Sequence, residues 1–455
     1  MNALLSDFWE LAGAPAPPVR ITGADDVLPS ALATTELAIG SIAAAATAAA
    51  ALSQARGGSL PISRVDGRRV SAAFRSDRLL RIDGRGINGF AELSRFWPAA
   101  DGWVRTHGNY PHHRARLLKA LGLADLSGAD DVAGAMSRWS GRDVEDALAA
   151  AGAIGVAVRA ADEWRGEPQA AAVDASPLVR WRSLGDASAR HLERAPTSPL
   201  LPMAGLRVLD LTRVIAGPVA TRTLALLGAD VLRVDSPQLP EIDWQHVDTG
   251  MGKRSTLLNL GVGADRETFD GLLASADVVV IGYRPGALAP YGLDPGELAS
   301  RRPGLVVATL SAWGDTGPWG DRRGFDSIVQ AATGIAMAES KDGTTPGALP
   351  AQALDHATGY LLAAGVMHAL AQQLEGEGSV HVQMSLARTA RWLLDRERPT
   401  TPGGLPAVDD LLREQPTASG LLRYPPPAVQ IAGGPDDWET VGGRWGTDAL
   451  AWRSD

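Results

Sequence analysis

Leu206–Gln238 reads LRVLDLTRVIAGPVATRTLALLGADVLRVDSPQ, Gly252–Leu260 reads GKRSTLLNL, and Ala276–Gly292 reads ADVVVIGYRPGALAPYG. Three apolar runs alternate with amphipathic segments. Each junction between them carries Gly, Pro or a basic residue. This layout predicts parallel strands joined by helices, with a nucleotide-bearing ligand at the ends of the sheet.

The rest of the chain fits around that core. At 455 residues there is room for two or three domains. The 45% hydrophobic and 21% charged content is ordinary for a globular protein. The formal net charge is -9 and no basic run stands out, so neither nucleic acid nor an anionic membrane is an expected partner. A polyanionic small molecule stays possible, because a few local Lys and Arg decide that. The absence of cysteine excludes disulfides, thiolate metal sites and a Cys nucleophile, and agrees with a cytoplasmic location. The start, MNALLSDFWELAG, lacks the basic and apolar regions of a signal peptide. The most apolar stretch, Leu37–Leu52, is mostly Ala and shorter than the ~20 residues of a membrane span, so it predicts a buried helix.

Pro and Gly punctuation divides the chain. ERAPTSPLLPMAG (Glu193–Gly205) reads as a linker, and RPTTPGGLPAVDD (Arg398–Asp410) as a loop opening an aperiodic tail. The expected division is therefore 1–195, 196–395 and 396–455, the last packing on the large domain. The two sides of the first linker also look alike. The segment from Leu354 and the segment from Thr35 each read as a long Ala-rich helix, a Gly turn, a short strand and a helix. Asp355 and Glu36 each stand four residues before a Gly, Gly359 and Gly40. Two unrelated Ala-rich helices would also account for that pattern.

Together these stretches resemble the class III CoA-transferases, the family of formyl-CoA transferase, carnitine CoA-transferase and the α-methylacyl-CoA racemases. Leu206–Leu394 resembles the front half of such an enzyme and the helix after it. Residues 1–195 resemble, more loosely, its back half and small domain. Phe96–Leu123 looks like the small domain's DG-strand and helix, and EDALAAAGAIGVAV (Glu145–Val158) like its helix–Gly–strand return. The order is rearranged, as if one copy of a duplicated gene had lost its small domain. The resemblance implies an α/β fold, a Rossmann-like parallel sheet core with a second, smaller α+β domain, and a homodimer.

LDHATGYLLAAG (Leu354–Gly365) looks like the family's nucleophile helix. A carboxylate in a first helical turn faces the positive end of the helix dipole and can attack a thioester as an anion. By resemblance, Asp355 is the catalytic nucleophile; as residues alone, a helix cap is the commoner role. The family's adenine and phosphate loop falls on Arg213–Pro218, and from it Arg213, Val214, Ala216, Gly217 and Pro218 are carried over. Pro218 suits a first helical turn, whose free N–H groups bind anions. Lys253 and Arg254 match a basic pair, Lys as a point charge and Arg as a planar fork, or else form a solvated basic turn. Tyr283 and Arg284 in GYRPG occupy a loop that contacts the nucleotide in the family. Ser236 and Pro290 stand where the family often carries basic residues, a deficit that Arg222, Arg233 or the first half of the chain would have to make good.

SAWGDTGPWGDRRGFDSIVQAATG (Ser311–Gly334) matches the family's Gly-Pro loop and helix entry, with Asp326 as a cap and Gln330 near the site. Racemases of this family carry an acid/base His in the slot of Phe325, which cannot move a proton. His356 is expected on a helix surface. Glu36 is one methylene longer than Asp, which misplaces its carboxylate by about 1 Å and costs ~10²-fold by orientation, so it is assigned no catalytic role. His112 and His113 lack a carboxylate at ligand spacing, so no metal is expected.

The implied function is transfer of CoA from an acyl-CoA to a carboxylic acid through an aspartyl anhydride and an aspartyl-CoA thioester. CoA and acyl-CoA would be substrates, with no permanently bound cofactor. The alternatives are an acyl-CoA racemase or isomerase on the same scaffold, and a non-catalytic CoA-binding subunit.

Overall fold

The computed structural model describes residues 2–25, 27–399 and 404–453. Along the chain, strands β1 (Val19–Thr22), β2 (Ser63–Asp66), β3 (Arg81–Ile82), β4 (Phe96–Pro98), β5 (Trp103–Thr106), β6 (Gly155–Ala157) and β7 (Arg180–Gly185) precede the linker. Strands β8 (Arg207–Leu211), β9 (Asp230–Asp235), β10 (Arg254–Leu257), β11 (Val278–Ile281), β12 (Val306–Ser311) and β13 (Ser379–Ser385) follow it, and β14 (Arg413–Thr417), β15 (Gly420–Tyr424) and β16 (Gln430–Ile431) lie in the tail. The helices that matter to the site are α1 (Ala3–Leu11), α2 (Thr34–Ala55), α3 (Gly67–Phe74), α4 (Pro111–Ala120), α5 (Gly141–Ala150), α6 (Ala216–Leu226), α7 (Asp326–Thr333), α8 (Ala353–Leu374) and α9 (Leu386–Leu394).

The quoted stretch builds the central sheet, in the order β10-β9-β8-β11-β12-β13-β7. Its first six strands are parallel, because each is followed by a crossover through a helix or loop. Val278–Ile281 is buried throughout, as expected of a strand covered on both faces. The order reverses between β8 and β11. Their carboxyl ends therefore diverge into a crevice, the place where open α/β sheets bind ligands.

Residues 93–157 form the smaller α+β unit, an antiparallel sheet β4-β5-β6 packed on α4 and α5 around Leu93, Trp97, Val104, Leu117 and Leu148. The buried Arg159–Glu145 pair, 2.8 Å, and a hydrogen bond from the Arg159 N–H to the Ala331 carbonyl, 3.1 Å, fasten this unit to α7.

The division near residue 195 is not clean. β7, from the first segment, closes the central sheet antiparallel to β13, since the otherwise open edge of β13 needs backbone partners. The tail also spans both sides. Its strands β15 and β16 pair with β3 and β2, and its last turn bonds to β10 through Asp448 and Ser255. Residues 400–403 of the Pro/Gly loop lie outside the described residues.

The two Ala-rich helices have matching surroundings. α2 and α8 each span 22 residues, are buried along nearly their whole length and pack against one another. Side chains as small as Ala and Gly allow that close approach. α2 is long and apolar enough to cross a membrane, but here its apolar surface is buried inside the fold. β2 leads into α3 as β13 leads into α9, each helix capped by the last residue of its strand, Asp66 or Ser385. The parallel pairs β1–β2 and β12–β13 flank the two copies.

Candidate active site

A cavity of about 480 Å³ opens at the carboxyl ends of β8 and β11. That is within the usual range for a small-molecule site. Its floor holds Asp355; one wall carries Arg213–Ala216 and Tyr283–Arg284, and the facing wall is the small unit's Tyr110–Arg116 with Arg322–Phe325. Both halves of one chain therefore build the cavity.

Asp355 is 5% exposed and sits in the first turn of α8. Gln352, at the N-cap, makes no side-chain cap bond. Asp326 does the capping from α7: its Oδ2 accepts from the backbone N–H groups of Leu354, 2.9 Å, and Asp355, 3.0 Å. Gln330 donates to Asp326 Oδ1 and accepts from the Leu349 N–H, so α7 fixes the loop before α8 as well. Burial, and then the Asp326 charge, push the Asp355 carboxyl well above the ordinary range. Asp326 itself is pushed up to about 6 by burial, against the pull of its own hydrogen bonds.

Gly359 lies one turn on. A Cβ there would stand 2.4 Å from the Ala216 carbonyl oxygen, so only glycine lets α8 touch the first turn of α6. The expected Asp–Gly spacing thus joins the carboxylate to the Arg213–Ala216 loop. In that loop Val214 holds φ +71°, a strained value for a β-branched residue. Arg213 donates to the Leu239 and Pro240 carbonyls and to Glu241, and lies over the Tyr110 ring at 4.9 Å. It braces the wall and joins it to the small unit. Ala216 lines the cavity, while Gly217 and Pro218 are buried behind it in the first turn of α6.

Two expected phosphate ligands fall elsewhere. The Lys253 ammonium is buried and donates to Asp210 Oδ2, 2.9 Å, Thr221 Oγ1, 2.7 Å, and the Pro218 carbonyl, 3.1 Å. Its three protons are spent tying α6 to β8. Burial, opposed by Asp210, pulls it down to about 8. Arg254 forks onto both oxygens of Asp230 and reaches the tail at the Ala451 carbonyl. Neither residue lines the cavity. Arg233 and Arg222 do not replace them, being buried against Asp235 with Glu241 and against Asp248.

Sequence reasoning reached Phe325, His112 and His113 of the facing wall but not how they pack. His107 stacks on Phe325 with centroids 3.9 Å apart, and His113 packs against Tyr110 and Phe325. Burial, reinforced by neighbouring cationic groups, lowers His107 to about 3 and His113 to about 2, so both are neutral. The only signal was the run HGNYPHHRAR, whose polar residues look like an exposed helix start. His356 is not on a helix surface: it is buried, 5.2 Å from the Phe74 ring, and away from the cavity. Among the described residues no group of three or more His, Asp or Glu could hold a metal ion.

The repeat's other carboxylate has a different fate. Glu36 Oε1 accepts from the Ala3 N–H, 3.2 Å, and Asn2 donates to the Glu36 carbonyl, 2.9 Å. A Cβ on Gly40 would meet Asn2 and Leu4, as one on Gly359 would meet Ala216 and Val219. The start of α1 therefore takes, over Glu36, the place that α6 takes beside Asp355.

Residues 203–407 match the family model described as CoA-transferase family III. The chain carries a CoA-transferase family III domain. Those residues hold the six parallel strands of the central sheet, the Arg213–Ala216 loop and α8, but not the antiparallel edge strand β7. The chain is 37% identical over 209 residues to the acetyl-coenzyme A transferase nodX of Hypoxylon pulicicidum, covering 44% of this chain and 35% of that protein. It is 31% identical over 259 residues to the formyl-CoA:oxalate CoA-transferase of Streptomyces avermitilis, covering 52% of this chain and 63% of that one. A crystal structure of a hypothetical protein from Mycobacterium tuberculosis aligns at 34% identity and TM-score 0.40, over 43% of this chain and 57% of that one. The chain spans 35–55% of the length of the first four curated relatives it matches.

Proposed function

We propose that the chain is a CoA-transferase that moves CoA from an acyl-CoA thioester to a carboxylic acid, with Asp355 as nucleophile. The observation that carries this reading is the opening of Asp355, in the first turn of α8, onto the cavity where β8 and β11 diverge.

The chemistry balances as follows. The Asp355 carboxylate attacks the thioester carbonyl and expels CoA thiolate, leaving an acyl-aspartyl anhydride. The thiolate attacks the aspartyl carbonyl and releases the donor carboxylate, leaving an aspartyl-CoA thioester. The acceptor carboxylate attacks that thioester, forming a second anhydride and freeing the thiolate again. The thiolate then takes the acceptor acyl group, and Asp355 returns as a carboxylate. No proton is gained or lost, so the cycle needs no general acid, and a Phe at position 325 is no handicap. A racemase needs two proton-moving groups, and Phe325 removes one of them. CoA and acyl-CoA act as substrates here, and no permanently held cofactor is invoked. On the family resemblance we propose a homodimer in the cytoplasm, each chain building its own cavity from its two halves.

Intact-protein mass spectrometry after incubation with a panel of acyl-CoAs tests the reading. Wild type should gain a CoA or acyl adduct and Asp355→Ala none. CoA binding without an adduct for any donor points instead to the racemase or to a non-catalytic subunit.

A further inference from the structure

His113 stands in the first turn of α4, on the wall of the cavity that faces the sheet. Its side chain is only 7% exposed, and its Nδ1 is buried with no hydrogen-bond partner among the described residues. A buried polar atom left unpaired costs about 1–3 kcal/mol, and a Phe ring would fill much the same space without that cost. The small unit therefore gains nothing from the polarity of this ring. The other nitrogen, Nε2, is the one left to face the cavity. Burial first, and then His112, His107, Arg323 and Arg116, hold the ring neutral. A neutral imidazole carries one N–H, and the neighbours that act on this one are cationic or neutral groups rather than carboxylates. The acceptor for that N–H has to come from what enters the cavity.

The ring also sits beside the supports of Asp355. Its centroid lies 5.8 Å from that of Phe325, the N-cap residue of α7. The next residue is Asp326, which holds the Asp355 N–H, and His107 stacks on Phe325 and steadies it. His113 and Asp355 line the same cavity. In the first and last steps of the proposed cycle the tetrahedral oxyanion forms on the acyl group itself, and a preorganised neutral donor stabilises such an oxygen. We propose that His113 is a catalytic residue, donating a hydrogen bond from Nε2–H to the acyl carbonyl oxygen in these two steps. In the first, an Asp355 oxygen bonds to the carbonyl carbon and the π pair moves onto the oxygen that His113 holds. Return of that pair breaks the C–S bond and expels the thiolate. The proton stays on His113 throughout, so the cycle still needs no general acid. The inference rests on the CoA-transferase reading. It brings into the chemistry a side chain from the first half of the chain, outside residues 203–407.

The test compares the full chain as wild type, His113→Phe and His113→Gln, with thermal melts as fold control. Calorimetry reads the affinity for an acyl-CoA that labels the wild type, and rapid-quench mass spectrometry reads the single-turnover rate of adduct formation. His113→Phe keeps a ring and loses the donor. It should melt no earlier than wild type, bind the acyl-CoA within about threefold and form the adduct about 10²–10³-fold more slowly. His113→Gln, whose amide can donate, should recover part of that rate. The loss in His113→Phe should be equal at pH 6 and pH 8, because a neutral donor does not titrate there. A wild-type rate in His113→Phe overturns the proposal. So does a slower rate matched by an equal loss of affinity, which would make the ring a packing element. A loss that grows with pH is the mark of a general base and overturns it too. Wild type that forms no adduct with any acyl-CoA overturns the transferase reading itself, whatever the variants do.

Discussion

Asp326 Oδ2 lies 3.0 Å from the backbone nitrogen of Asp355 and accepts its hydrogen bond. One buried carboxylate thus holds the helix end that carries the other. The same contact orients Asp355 and, added to the larger effect of burial, makes its carboxyl harder to ionise, because the two negative charges oppose each other.

Asp326→Asn separates the two effects. Loss of the charge should lower the Asp355 pKa, so the acid limb of the pH–kcat/KM profile moves to lower pH. Loss of a good acceptor for two buried N–H groups should lower kcat and cost about 1–3 kcal/mol of stability. A kcat loss with an unmoved acid limb would show that Asp326 only supports the fold.

Asp355→Asn should abolish adduct formation and yet stabilise the protein at neutral pH. The folded pKa of Asp355 is raised, so the unfolded chain loses this proton first as pH climbs from about 3.8. Wild type therefore loses stability through that window, while Asn does not titrate. The Tm advantage of the variant should be near zero at pH 4 and grow toward pH 8. A constant difference across the range would contradict the raised pKa.

How much of this was legible depends on what each residue answers to. The strands β8, β9 and β11 were readable because buried parallel strands are largely apolar runs. Gly359 was readable because α8 touches the first turn of α6 one turn after Asp355, where a side chain has no room. Lys253 was misread because a basic residue beside a strand looks the same in sequence whether it faces phosphate or a buried Asp210, 43 positions away. The sequence repeat was visible, but not that α1 would stand over Glu36.

The repeat itself gives a paired test. Gly359→Ala puts a methyl 2.4 Å from the backbone of Ala216, so the ligand loop must move. CoA affinity and kcat should both fall, with about 1–3 kcal/mol of stability. Gly40→Ala meets Asn2 and Leu4 instead. It should cost stability alone, with kcat/KM unchanged within about twofold, as should Glu36→Gln. Loss of activity in Glu36→Gln without loss of fold would mean that the first copy takes part in the chemistry.

Lys253→Met tests the reassignment of that lysine. Its ammonium is held by Asp210, Thr221 and the Pro218 carbonyl, and removing it leaves the Asp210 carboxylate buried and unpaired. The expected cost is about 3–5 kcal/mol, read as a lower denaturant midpoint. Because α6 and its loop rest on this contact, CoA affinity should also weaken, but for CoA and acyl-pantetheine alike and with an unchanged salt dependence. A phosphate ligand behaves differently: its removal flattens the salt dependence and spares the phosphate-free analogue. A Lys253→Met variant that kept its stability and lost only phosphate-dependent affinity would return Lys253 to the cavity.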